Sequence, residues 1–117
     1  MKENNIIRDK TYQFSLKIIS CYKKLQENKR EYTLSRQLLR SGTSIGANII
    51  EAKSGSSTKD FRNFYTIALK SANETKYWLC LIRDTILINE KENIGKLINE
   101  ADELSKIIAS IIINLKK

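Results

Sequence analysis

The chain has 117 residues, 41% hydrophobic and 29% charged, which is the size and make-up of one soluble globular domain spanning residues 1–117. Lys and Arg number 21 against 13 acids, and the resulting formal charge of +8 favours polyanionic partners over basic ones. With no histidine and only Cys21 and Cys80, the commonest general base, the commonest metal ligand and any disulfide framework are all excluded, so no metal, cofactor or catalytic residue is expected.

Proline is absent and glycine occurs only at 42, 46, 55 and 95, so little interrupts helix formation. In the first helix, Ile7, Thr11, Phe14, Ile18, Cys21 and Leu25 recur in alternating steps of four and three and share one stripe; the polar run Gln26 to Glu31 ends it. The second begins near Thr33, read as its N-cap, and repeats that spacing through Leu34, Leu38, Ser41, Ile45, Asn48 and Ala52 before closing at Gly55. Ser57-Thr58-Lys59-Asp60 opens the third, with the serine as a cap and the aspartate favouring the positive end of the helix dipole.

The third helix carries two adjoining stripes. One is Phe61, Tyr65, Ala68, Ala72, Thr75, Leu79, Ile82 and Ile86; the other is Phe64, Ile67, Ser71, Glu74, Trp78, Leu81, Thr85 and Ile88. That arc is wider than one neighbour covers, so the helix must meet two neighbours in the bundle, another subunit, or both. After a polar link over Asn89 to Asn93, the fourth helix presents Ile94, Leu97, Ala101, Leu104, Ile108, Ile111 and Leu115, widened by Ile98, Ile107 and Ile112. Its run Ile107 to Ile113, broken by Ser110, falls far short of the roughly 20 apolar residues that span a bilayer. The N-terminal Met1–Asn5 leads into no apolar signal segment, so a cytoplasmic protein without membrane contact is expected. Short connections between long helices predict an all-α fold, an antiparallel up-down-up-down four-helix bundle.

Three stretches carry candidate chemistry. Ser41 to Asn48 has the glycines of a phosphate-binding loop but lacks the Lys-Ser/Thr that should follow, so Gly42 and Gly46 are read as a surface for close helix packing. Asn48, Glu51 and Glu74 place polar groups at or beside seam positions; they are read as a structural polar cluster or a subunit contact, since acid-base work by a carboxylate pair has no histidine or nucleophile to accompany it. Arg36 and Arg40 point away from the seam of helix two. Lys59, Arg62 and Lys70 fall within an arc of about 80° on helix three, shared with Asn73 and Tyr77, a pattern suited to neutralising backbone phosphates.

Leu34-Ser35-Arg36-Gln37-Leu38-Leu39-Arg40-Ser41-Gly42-Thr43-Ser44-Ile45-Gly46-Ala47-Asn48-Ile49, followed by Glu51-Ala52, resembles the bacterial four helix bundle proteins named for open reading frames in 23S ribosomal RNA intervening sequences. Lys59-Asp60-Phe61 and the run Ile67 to Leu79 are similar to a second block of that family, and the resemblance is specific from Thr33 to Ile82. Gly46 stands where many relatives have proline, and Ala52 where they have glycine. The resemblance implies a bundle that assembles into a homo-oligomeric ring, typically a pentamer. It also implies kinship with accessory proteins of diversity-generating retroelements, which bind nucleic acid and a reverse transcriptase through a basic surface. The resulting expectation is a non-enzymatic homo-oligomer that binds RNA or DNA with little sequence preference through Arg36, Arg40, Lys59, Arg62 and Lys70. The alternative is a scaffold for a protein partner such as a reverse transcriptase.

Overall fold

A computed structural model describes residues 2–53, 57–86 and 90–115. They form four helices: α1 (Lys2–Lys29), α2 (Thr33–Lys53), α3 (Thr58–Thr85) and α4 (Lys91–Asn114), with no strand among the described residues. The molecule measures 46 × 20 × 19 Å. At 1.5 Å per residue, α1 and α3 are each about 42 Å long and so run the length of the bundle.

The helices pack in ring order: α1 against α2, α2 against α3, α3 against α4, and α4 back against α1 along the sparsest of the seams. Contacts along three seams run in opposite senses. Gly42 and Gly46 of α2 meet Ile18 and Thr11 of α1, Ser41 and Ser44 of α2 meet Thr75 and Ser71 of α3, and Lys10, Lys17 and Lys24 of α1 meet Glu103, Glu100 and Glu90. The expected up-down-up-down course follows from these pairings. The predicted stripes form the core: Ile7, Phe14, Ile18, Leu38, Ile45, Tyr65, Leu79, Ile82, Ile94 and Ile108 are buried. The two stripes of α3 are buried unequally: the first supplies buried Tyr65, Ala68, Ala72, Thr75, Leu79 and Ile82, whereas among the described residues of the second only Ser71, which like Thr75 reaches α2, is buried.

Two helix starts, those of α2 and α4, differ from the sequence expectation. α1 ends on Arg30, whose φ of 53° is left-handed, and its N–H closes back on the Gln26 carbonyl at 3.1 Å, the bond of a left-handed C-terminal cap. The start of α2 is capped by Glu31 rather than Thr33. The Glu31 carboxylate accepts from the N–H groups of Leu34 and Ser35, a reach that a carboxylate two methylenes out has and the shorter threonine, already inside the first turn, does not. Ser57 caps α3 as expected, accepting from the Asp60 N–H at 3.1 Å. Lys91, Glu92 and Asn93, read as a link, are helical because each is a tolerable helix former and Ile94 just beyond them is anchored in the core. The expected closure of α2 at Gly55, and the positions of Ile88 and Asn89, lie outside the described residues.

The glycine segment lies wholly within α2. A Cβ at Gly42 would fall 2.8 Å from Ile18 Cγ2, and one at Gly46 would fall 3.3 Å from Thr11 Oγ1. These glycines therefore let α2 approach α1, as the packing reading expects.

Candidate nucleic-acid interface

Along the outward side of α3, Lys59, Arg62, Thr66, Lys70, Asn73 and Tyr77 follow one another in steps of three or four, which stacks them into one ridge. No acidic residue interrupts that series. Lys59, Lys70, Asn73 and Tyr77 are exposed, and Arg62 is half-buried. Its Nε is buried without a hydrogen-bond partner among the described residues.

The cations of α2 stand apart from this ridge. Arg36 is exposed, with its guanidinium 6.0 Å from the centroid of the Tyr32 ring. Arg40 donates to Gln37 at 2.9 Å and is ion-paired with Glu74. Because the helices are antiparallel and Arg40 lies level with Glu74, Arg40 sits about 6 Å along the bundle axis from Lys70, about 18 Å from Arg62 and about 22 Å from Lys59. The predicted phosphate-contacting residues thus form an extended track rather than a compact patch, and one of them already holds a carboxylate.

Asn48, Glu51 and Glu74 do not come together as one cluster. Asn48 donates to the Ser44 carbonyl at 2.8 Å and its hydroxyl at 3.0 Å; Ser44 in turn pairs with Ser71, and Ser41 with Thr75, each at 3.0 Å. These hydroxyl pairs form a polar ladder between α2 and α3. Glu74 belongs to a second network, accepting from Trp78 Nε1 at 3.0 Å as well as from Arg40. The Trp78 indole N–H, helped by Arg40 and opposed by desolvation, holds the Glu74 carboxyl below the usual glutamate range. Glu51 is exposed on α2, about ten residues of axial rise from Glu74, or about 15 Å, so the two carboxylates do not make a pair. The i, i+4 spacing of Glu74 and Trp78 is legible in the sequence; the link to Arg40 is not.

The α1–α4 seam carries an open cleft of about 270 Å³ lined by Lys17, Cys21, Lys24, Glu90, Leu97 and Glu100. Lys10–Glu103, Lys17–Glu100 and Lys24–Glu90 bridge this seam at 3.2, 2.7 and 3.1 Å. The Cys21 thiol is pushed up to about 11, chiefly by burial and further by Glu90, so it stays protonated and is a poor nucleophile. Among the described residues no group of His, Cys, Asp or Glu is arranged to hold a metal, and no helix is long and apolar enough to cross a membrane. Lys10, Lys17 and Lys24 of α1 are thereby drawn into pairs with acids of the α4 side, whereas Lys23 and Lys29 of α1, like Lys59 and Lys70 of α3, are exposed.

The profile of the family described as 23S rRNA-intervening sequence protein matches residues 3–110, well beyond the stretch from Thr33 to Ile82 that carries the recognisable blocks. Among solved structures, a protein of unknown function from the S23 ribosomal protein family of Bacteroides thetaiotaomicron VPI-5482 is similar at 44% identity, covering 94% of this chain and 97% of that one, with a TM-score of 0.86. A search of curated proteins finds no match. With nearly its whole length inside the match, this chain belongs to the 23S rRNA-intervening sequence protein family.

Proposed function

We propose that this chain is a non-enzymatic homo-oligomer that binds RNA or DNA through backbone phosphates with little sequence preference. The observation that carries this reading is the acid-free ridge of α3, where Lys59, Arg62 and Lys70 stand in line on a protein of net charge +8. Arg36 extends the track onto α2, and Arg40 joins it only by giving up Glu74. No base-reading element accompanies these cations, which fits contacts that position without specifying. Homo-oligomerisation, with the pentamer as expected size, is supported by apolar side chains left on the outer faces of α1 and α2: Tyr12 is 62% exposed, Leu16 46% and Ile50 54%.

Anisotropy titration of labelled structured RNA and duplex DNA at low and moderate salt tests the reading. The expected result is salt-sensitive binding whose log–log salt slope becomes shallower by about one for each of Lys59 and Lys70 replaced by glutamine, since each neutralises about one phosphate. Binding that ignores salt and both substitutions would sink it.

The same exposed apolar side chains favour a second reading, a scaffold presenting its basic face to a protein partner such as a reverse transcriptase. A partner that stays bound after exhaustive nuclease digestion, and is released by Ile50→Glu, is the result expected of that reading alone.

A further inference from the structure

We infer that the α3 ridge is built for unpaired bases, with Tyr77 as a stacking platform, so that single-stranded nucleic acid is preferred over duplex; this rests on the nucleic-acid reading above. Tyr77 is 59% exposed and ends the cationic series, one helical turn from Asn73 and two from Lys70. A lone exposed tyrosine means little, but this ring is held. Its centroid lies 5.4 Å from that of Trp78 in an edge-on arrangement at 63°. Trp78 is itself pinned, donating its indole N–H to Glu74 at 3.0 Å, and Glu74 is fixed from the neighbouring helix by Arg40.

The chain Arg40–Glu74–Trp78 therefore steadies the tyrosine from one side while more than half of its surface stays exposed. Less side-chain freedom is then lost when a base stacks there, the usual advantage of a preorganised aromatic. Arg40 and Glu74 become positioning residues in this account. The other exposed tyrosines do not compete. Tyr32 has Arg36 near its face, and Tyr12 lies on α1, away from the ridge.

A duplex keeps its bases stacked on one another, and taking one out costs unstacking energy that a convex ridge of one helix offers no pocket to offset. A single strand presents the face of every base, and stacking on an aromatic ring is tolerant of sequence, in keeping with the absence of base-reading side chains.

The test is anisotropy with a labelled oligothymidine and a duplex of the same length at low salt, on the full chain and on Tyr77→Ala, Tyr77→Phe and Glu74→Gln. Tyr77→Ala is expected to weaken single-strand binding about tenfold. Duplex affinity and the salt slope should stay as they were, because the ring neutralises no phosphate. Tyr77→Phe should keep the single-strand affinity, and Glu74→Gln, which loosens Trp78 but also frees Arg40 for phosphate, should narrow the single-strand preference while steepening the salt slope for both nucleic acids. If both nucleic acids bind and Tyr77→Ala changes neither, or weakens both alike, the stacking role is wrong while phosphate binding stands. If the unsubstituted protein binds neither at low salt, the nucleic-acid reading itself falls.

Discussion

Gly42 shows how finely a single position can be weighed. An added methyl would press on the branched Cβ region of Ile18, which has no free end to swing away, whereas Gly95 has nothing within 4 Å of where a Cβ would sit. Overpacking costs about 1–3 kcal/mol, against about 1 kcal/mol gained when alanine replaces a helical glycine. Gly42→Ala is therefore expected to destabilise by about 1 kcal/mol net and Gly95→Ala to stabilise by up to about 1 kcal/mol. Urea denaturation of the two variants checks the opposite signs; a stabilised Gly42→Ala would mean that α1 and α2 are not held at this distance.

Between elements, the seams are fastened by different chemistry, and this makes their pH dependence predictable. The α1–α2 contact is close-packed over Gly42 and Gly46, α2–α3 adds the serine and threonine ladder, and α4 is tied by ion pairs to α1 and α3. Hydrogen bonds from Lys24 and Asn93 hold Glu90 below the usual glutamate range, and those from Lys106 and Lys76 do the same for Asp102. A carboxylate whose folded value is depressed contributes stability that is fully present above its unfolded value and is lost as pH falls through the folded one. Acidification through the carboxylate range should thus loosen α4 first. Hydrogen exchange measured at falling pH should show protection lost in α4 before α2, and Glu90→Gln with Asp102→Asn should flatten the stability–pH curve there. The Lys24–Glu90 pair is exposed and the Lys76–Asp102 pair is only partly buried, so the individual contributions are small. Simultaneous loss of protection in all four helices would show that the ion pairs contribute nothing separable.

At the scale of the whole molecule, charge and exposed apolar surface pull in different directions. The charge of +8 keeps copies apart, while Tyr12, Leu16 and Ile50 lose water if copies meet. An oligomer should therefore form more readily as salt screens the repulsion. Solution mass measured by light scattering is expected to be a multiple of the 13.5 kDa chain and to fall toward one chain for Ile50→Glu. A monomer at every salt concentration would remove the oligomer from the proposal. The same salt would weaken polyanion binding, so assembly and binding should respond to ionic strength with opposite sign.

The four helices, their buried stripes and the small-residue contact of α2 were legible in the sequence, because helical periodicity is local: which residues share a face depends on spacing of three and four alone. The Ser57 cap was legible for the same reason, and the cap at Glu31 was missed because its carboxylate reaches forward from before the helix, where threonine at 33 looked the better local choice. In the candidate site, the alignment of Lys59, Arg62 and Lys70 on α3 could be read from one helix, and Lys59 and Lys70 are exposed there. What became of Arg40, Glu74, Asn48 and Glu51 could not be. Whether two charges on different helices lie side by side depends on the axial register of the antiparallel pair, which no single helix encodes, and that register puts Arg40 beside Glu74 and leaves Glu51 about 15 Å away along the axis. Sequence alone determined what each helix would bury; only the packing of one helix on another decided which of its exposed charges remain available.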